Sequence, residues 1–377
     1  MQNIMDIDTV ALNGHEDAVR IIDQTKLPVE IDLKDLRYAR EMYDAIYLLE
    51  VRGAPAIGVF AALSMYVLSI GRDIDANVEL PVGMEPGDMP PDAPEEFHQW
   101  FHKTADYLNS SRPTAVNLSW ALKHMQDLVD AHPDADRKTL LPMLHDLAIA
   151  IRDEDIEVCR RIGEYGVTLI KDGDGLLTHC NAGKLATVRY GTATAPMYLA
   201  KERGMNIRVY CDETRPLLQG ARLTAFELLS SGLDTTLLCD NMSGSAMRAG
   251  FINAIFVGCD RVAANGDTAN KIGTSVVAAV AKQYGIPMYI CAPTSTIDMN
   301  TKTGDDIVIE QRKAEEVTEM WYEKRMAPRD VKVYNPAFDV TDHDLIAGIV
   351  TEYGIARAPY EESFQEIFKK KAENPIR

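Results

Sequence analysis

The chain has 377 residues, more than one domain usually holds, so two domains with sizeable cores are expected. Its 57 acidic residues outnumber 39 basic ones and leave a net charge of -18, which argues against nucleic acid and anionic membranes as partners; a phosphate-bearing ligand would have to be small and met by a local basic pocket. No apolar run reaches the roughly 18 residues of a membrane helix, and the opening MQNIMDIDTV has neither a basic n-region nor an apolar h-region, so a cytoplasmic protein is expected.

Polar and apolar residues alternate over residues 4–12 and 18–22, which predicts a small antiparallel sheet. Helical spacing follows over residues 36–49 and 57–70, on either side of Glu50-Val51-Arg52-Gly53-Ala54-Pro55. Arg52 stands at the mouth of a helix with proline in its first turn, where free backbone N–H groups and a guanidinium can bind an anion; the alternative is a solvated arginine in an interhelical connection. Residues 75–96 are acidic, rich in proline and without periodicity, and are expected to form an exposed loop or partly disordered insertion. Helices are predicted over residues 97–109 and 115–131, and Arg112-Pro113 between them repeats the arrangement at Arg52. A long helix over residues 137–165 carries the chain into the second domain. The expected division is a mainly helical domain with a small β-sheet over residues 1–152 and a second domain over 153–377.

From Gly175 onward, apolar runs recur at residues 176–179, 207–210, 235–238, 253–257, 288–291 and 331–334. Helical patterns lie between them at 185–203, 217–231, 246–250 and 275–283, so the second domain is expected to be a Rossmann-like parallel sheet wound by crossover helices. The overall class is α/β. No GxGxxG follows the first strand, which argues against a dinucleotide cofactor. The six cysteines, at 159, 180, 211, 239, 259 and 291, include no CxxC pair, so zinc is not expected, and so many unpaired thiols fit a reducing compartment.

The residues after successive strands are Cys180-Asn181-Ala182-Gly183, Asp212-Glu213-Thr214-Arg215, Asp240-Asn241, Asp260-Arg261 and Ala292-Pro293-Thr294. Thiol, carboxylates and amides thus gather on one sheet edge, where open α/β sheets hold their ligands. Cys180 reads as the first residue before a helix, whose dipole would lower its pKa and make it a nucleophile or base; the alternative is a buried structural thiol. The densest stretch, residues 258–274, reads as a loop between a strand and a helix, crowded with Asp260, Asp267, Asn270 and Lys271. Burial of Asp260 at an apolar strand end would raise its carboxyl towards neutrality and suit it to act as an acid.

Five motifs, VRGAPAIG (51–58), SRPTAVNL (111–118), LTHCNAG (177–183), DETRPLLQGARLTA (212–225) and DRVAANGDTANKIGT (260–274), together resemble the methylthioribose-1-phosphate isomerase family. The resemblance runs from Val51 to the region of Asp298. The wider family also holds ribose-1,5-bisphosphate isomerases and regulatory subunits of a translation-initiation exchange factor, which share the fold without the chemistry. The resemblance implies Cys180 and Asp260 as the catalytic pair and Arg52, Gly53, Ala54, Arg112, Gln219, Asn270 and Lys271 as substrate-binding residues. It further implies an aldose–ketose isomerase of methionine salvage, acting on a small sugar phosphate as a homodimer with neither metal nor cofactor. Lys184 after CNAG and Cys259 before the acid depart from the family pattern and bear on the substrate, with 5-deoxyribose 1-phosphate and ribose 1,5-bisphosphate as alternatives. A non-catalytic subunit is the alternative of another class, and the intact Cys180 and Asp260 motifs argue against it.

Overall fold

The computed structural model describes residues 3–71, 89–113 and 115–376. It divides into two compact units. One, the helical unit, comprises Ile7–Ile156 together with Leu185–Arg189; the other, the sheet unit, comprises the preceding residues through Asp6, Glu157–Lys184 and Tyr190–Ile376.

The helical unit opens with three antiparallel strands in chain order, β1 (Val10–Leu12), β2 (Val19–Ile22) and β3 (Leu33–Leu36). Only the last residue of the third strand, Leu36, falls in the range 36–49 that helical spacing had assigned to the first helix. That helix, α1 (Ala39–Tyr47), starts later because the Glu41 carboxylate turns back onto the backbone N–H groups of Arg37 and Tyr38, at 2.9 and 3.2 Å, and fixes the entry there. The helices α2 (Ala54–Ile70), α3 (Pro94–Ser110), α4 (Val116–Asp130) and α5 (Arg137–Gly166) follow, and α5 runs on into the sheet unit. Apolar on all sides, α2 is buried over most of its length and forms the centre of the unit with Phe97, Phe101, Leu122 and Met125. Residues 75–88 of the proline-rich segment lie outside the described residues; its end does not remain a loop, since Pro94 opens α3 from the first-turn position where proline costs no hydrogen bond.

The sheet unit is built on β4 (Gly175–Thr178), α6 (Ala195–Glu202), β5 (Arg208–Asp212), α7 (Ala225–Ser230), β6 (Asp234–Leu238), α8 (Ser243–Arg248) and β7 (Ala254–Val257). It continues with β8 (Arg261–Ala263), β9 (Thr268–Lys271), α9 (Thr274–Tyr284), β10 (Met288–Cys291), β11 (Ile297–Asp298), α10 (Glu315–Thr318), β12 (Phe338–Thr341), β13 (Gly348–Thr351), β14 (Gly354–Ala356) and α11 (Tyr360–Glu373). Seven strands form one sheet in the order β14-β13-β10-β7-β4-β5-β6, parallel except for the β13–β14 hairpin. Both faces are covered, and alternate residues serve opposite cores: along β7, Ala254 and Phe256 join one cluster while Ile255 and Val257 join the other.

Three sequence readings need correcting here. Residues 331–334 form no strand; Val331 and Tyr334 are exposed, and the sheet is completed by β13 and β14. No helix fills residues 185–203: a short 3-10 turn at Lys184–Ala186 is followed by bends, Leu185 and Val188 are buried as part of the helical unit, and α6 starts only at Ala195. The stretch 258–274 is not an open loop but contains the β8–β9 hairpin, part of a second sheet in the order β11-β8-β9-β12. Among the described residues, no helix is long and apolar enough to cross a membrane.

Candidate active site

The parallel strands β4, β5, β6 and β7 end on one edge of the sheet, and the chain just beyond β4 carries Cys180. Cys180 is 8% exposed and its backbone is left-handed, with φ of 66°. That conformation is disfavoured for a residue with a side chain, and here two hydroxyls hold it. The Cys180 N–H donates to Thr214 Oγ1 at 2.8 Å, and Thr224 Oγ1 donates to the Cys180 carbonyl at 2.5 Å. Thr214 is itself pinned, since its N–H and that of Arg215 each donate to one oxygen of Asp240 at 2.7 Å. Gly183 of the same motif admits no side chain, because a Cβ there would lie 1.5 Å from Glu227 Oε1. Glu227 is fully enclosed and accepts from the Lys184 N–H at 3.2 Å and from Asn181 Nδ2 at 3.4 Å.

The sequence reading of Cys180 as the start of a helix does not hold, since the next α-helix begins at Ala195, and the dipole argument for a lowered thiol pKa falls with it. Beside Cys180, His179 is enclosed with both ring nitrogens engaged: Nδ1 lies 3.0 Å from Asp212 Oδ2 and Nε2 2.9 Å from the Ile272 carbonyl. Burial opposes charge on this ring, but the Asp212 carboxylate and the Ile272 carbonyl outweigh it and raise the imidazole pKa. Ser243 donates to the other Asp212 oxygen at 2.5 Å. His179, Asp212 and Asp240 bring ligand-type atoms within 4.8 Å of one another, yet their hydrogen bonds already occupy those atoms, so the trio reads as a hydrogen-bonded support for the strand ends.

The β8–β9 hairpin carries the remaining residues of the sheet unit's set. Asp260 precedes β8, with its N–H on the Ala269 carbonyl at 2.9 Å, and it is exposed. The burial expected for Asp260 at the end of an apolar strand is therefore not found. Asn270 is buried and donates from Nδ2 to Thr274 Oγ1 at 3.0 Å, while the Lys271 ammonium lies 4.3 Å from the centre of the Phe338 ring. Asp267 turns away to a structural role. It accepts from the N–H groups of Gly304 and His343 and from the side chains of Asn265 and His343; burial would raise its pKa, and these donors overcome it and hold it at about 2. Gln219 is buried just before a π-helical turn at Gly220–Thr224, and its Oε1 has no hydrogen-bond partner among the described residues.

Arg52, Gly53, Ala54 and Arg112 belong to the helical unit. Ala54 opens α2 with Pro55 in its first turn, and Gly53 has φ of 91° and lies so close to Ala186 that a Cβ would come within 2.4 Å of that residue's Cα. Arg112, half-buried, begins the turn into α4, with its carbonyl accepting from the Ala115 N–H at 2.9 Å. A Cβ on Gly58 would sit 3.0 Å from the Asn117 carbonyl, so the second turn of α2 packs against the first turn of α4 and the two arginine-bearing helix starts lie near one another.

The model of the initiation factor 2 subunit family matches residues 50–358. The chain belongs to that family. Within the initiation factor 2 subunit family it is 56% identical over 367 residues to a methylthioribose-1-phosphate isomerase of Symbiobacterium thermophilum, covering 97% of this chain and 98% of that one. It is 52% identical over 361 residues to a 5-deoxyribose 1-phosphate isomerase of Clostridium botulinum, covering 95% and 97%. A crystal structure of 5-methylthioribose 1-phosphate isomerase from Pyrococcus horikoshii superposes with a TM-score of 0.87 at 39% identity, over 96% of each chain. Sequence reasoning missed Thr214, Thr224 and Glu227 as supports of Cys180; each lies dozens of residues away, and only the sheet topology brings them to it.

Proposed function

We propose that this chain is an aldose–ketose isomerase that converts 5-methylthioribose 1-phosphate to 5-methylthioribulose 1-phosphate, a step of methionine salvage. The observation that carries the reading is the 56% identity, over nearly the whole of both chains, to a protein bearing that activity's name. The phosphate on the anomeric oxygen prevents the sugar from opening as a free aldehyde, so the ring oxygen must first be protonated. Asp260 supplies that proton, and the C1–ring oxygen bond breaks. The Cys180 thiolate then takes the C2 proton, leaving an enol phosphate between C1 and C2; C1 is reprotonated and the C2 hydroxyl gives up its proton to become the ketone. A direct C2-to-C1 hydride shift reaches the same product with Cys180 or Asp260 receiving the hydroxyl proton.

Arg52, Arg112 and Lys271, with Gln219, Asn270 and the backbone at Gly53 and Ala54, bind the sugar phosphate, which fixes C1 and C2 against the two catalytic groups. The adjacency of the α2 and α4 starts supports a shared anion site for the two arginines. The proton transfers call for no metal or cofactor. The protein acts as a cytoplasmic homodimer: its six cysteines, none in a disulfide, suit a reducing compartment, and the outer strand β6 leaves Leu237 exposed as an apolar edge for a second copy. A second reading, 5-deoxyribose 1-phosphate as substrate, is favoured by the 52% identity to an isomerase of that name. Turnover of purified protein on 5-methylthioribose 1-phosphate, 5-deoxyribose 1-phosphate and ribose 1,5-bisphosphate tests both. The highest kcat/KM is expected for the first, and no turnover of any of the three would refute the isomerase.

A further inference from the structure

His179 is 1% exposed and its two nitrogens face two oxygens. A neutral imidazole has one N–H, so it would set a lone pair against either Asp212 Oδ2 or the Ile272 carbonyl unless Asp212 itself carried a proton. Ser243 already donates to Asp212 Oδ1, which suits an ionised carboxylate accepting on both oxygens. Ile272 directly follows Lys271 at the end of β9, and a Cβ on Gly273 would come within 2.9 Å of the imidazole Cε1, so this backbone lies against the ring. β4 and β9 belong to different sheets, and no strand ladder joins them. The imidazole spans that gap.

We propose that His179 is a positioning residue, a fixed imidazolium that ties the end of β9, with Asn270 and Lys271, to the strand end that carries Cys180. The proposal rests on the isomerase reading, in which those residues hold the sugar phosphate over the thiol. From the other side the same backbone is held by the Ile272 N–H on the Ala337 carbonyl at 3.1 Å and the Gly273 N–H on Asp339 at 2.7 Å, so His179 supplies the contact towards the catalytic strand. The charges facing the ring are Asp212 at the end of β5 and, farther off, Asp240 after β6; both favour the cation.

Two side chains separate the halves of this tie. His179→Asn puts an amide where Nδ1 lies, which keeps the Asp212 contact and drops Ile272, whereas His179→Gln reaches the Nε2 position and keeps Ile272. With 5-methylthioribose 1-phosphate, His179→Asn is expected to raise KM at least about tenfold and His179→Gln to stay within about threefold of the unaltered enzyme. Equal KM values in the two variants overturn the tether. Nitrogen-15 NMR of histidine-labelled whole enzyme, with the His179 signals assigned by their loss in His179→Gln, is expected to show both ring nitrogens protonated between about pH 6 and 8. A ring with one bare nitrogen near neutral pH overturns the imidazolium, whatever the variants do. Because that readout needs no substrate, an enzyme inactive on every pentose phosphate would refute the isomerase reading while the charge of His179 is still decided.

Discussion

Replacing Thr214 by valine tests whether the hydroxyl clamp sets the geometry of Cys180. Valine has the shape of threonine, so the left-handed backbone at residue 214, with φ of 65°, is no more strained than before. What disappears is the acceptor for the Cys180 N–H, a bond of 2.8 Å in a buried setting, together with the Thr214 hydroxyl's own bond to the Asp212 carbonyl at 3.1 Å. An unsatisfied buried N–H costs about 1–3 kcal/mol. The left-handed conformation of Cys180 costs about 1–2 kcal/mol, so the loss is large enough to release it towards an ordinary backbone conformation. A thiol displaced by about 1 Å would lower kcat by up to roughly 100-fold. The expected result for Thr214→Val is a stability loss of about 1–3 kcal/mol by urea denaturation and a fall in kcat of about 10- to 100-fold, with Thr214→Ser close to the unaltered enzyme in both. If Thr214→Val keeps kcat within about twofold and stability within about 0.5 kcal/mol, the clamp does not hold Cys180 and the reasoning fails.

Cys180→Ser and Asp260→Asn should each lower kcat by at least about 100-fold with circular dichroism unchanged; near-normal turnover in either would remove that residue from the chemistry. Lys271→Ala should raise KM by an amount equivalent to about 1.5–3 kcal/mol, the worth of a charge-assisted contact, and an unchanged KM would place the phosphate elsewhere. Asp155 has its pKa raised to about 7 by burial, against the opposing Val188 N–H, from an ordinary value of 3.8. The folded state therefore keeps a proton that the unfolded state releases, and stability falls as pH rises from about 4 to 7; because the residue is partly exposed the fall is about 1–2 kcal/mol, and Asp155→Asn should remove it in urea titrations at pH values on either side. Cys239 is exposed, while Cys259 is pushed up to about 12 and Cys211 and Cys291 are pushed up further, all by burial. In a Cys239→Ser background, iodoacetamide should therefore label Cys180 in step with loss of activity, with protection by substrate; full labelling without loss of turnover would rule Cys180 out as the base.

The strand ends were legible because β4, β5 and β7 are short, mainly apolar runs followed by polar residues, a pattern that survives without any knowledge of partners. The β8–β9 hairpin was not. Thr268 and Asn270 are polar yet buried, and their polar groups are satisfied by neighbours such as Thr274 that sequence cannot place, so the segment read as a loop. The helix imagined after Cys180 failed for the opposite reason: Leu185 and Val188 have helical spacing, but they are buried in the helical unit, and Gly191, with φ of 73°, breaks the run before α6. Among the candidate residues, the positions of Arg52 and Arg112 at helix starts followed from the prolines beside them. The environments of Cys180 and Asp260 did not follow, because one depends on hydroxyls brought in from Thr214 and Thr224 and the other on exposure, neither of which is written locally.

The five residues Leu185–Arg189 bear on how the protein is made. They complete the helical unit: the Gln24 side chain donates to the Leu185 carbonyl at 2.7 Å, Thr9 donates to the Val188 carbonyl at 3.2 Å, and Val188 donates to Asp155 at 2.7 Å. On the ribosome these residues emerge only after β4 and the Cys180 turn, so the helical unit is still missing part of its hydrogen bonding when the first strand of the parallel sheet has already been synthesised. The order of folding is thereby interleaved, and the amino-terminal half is not a module that translation can finish and set aside.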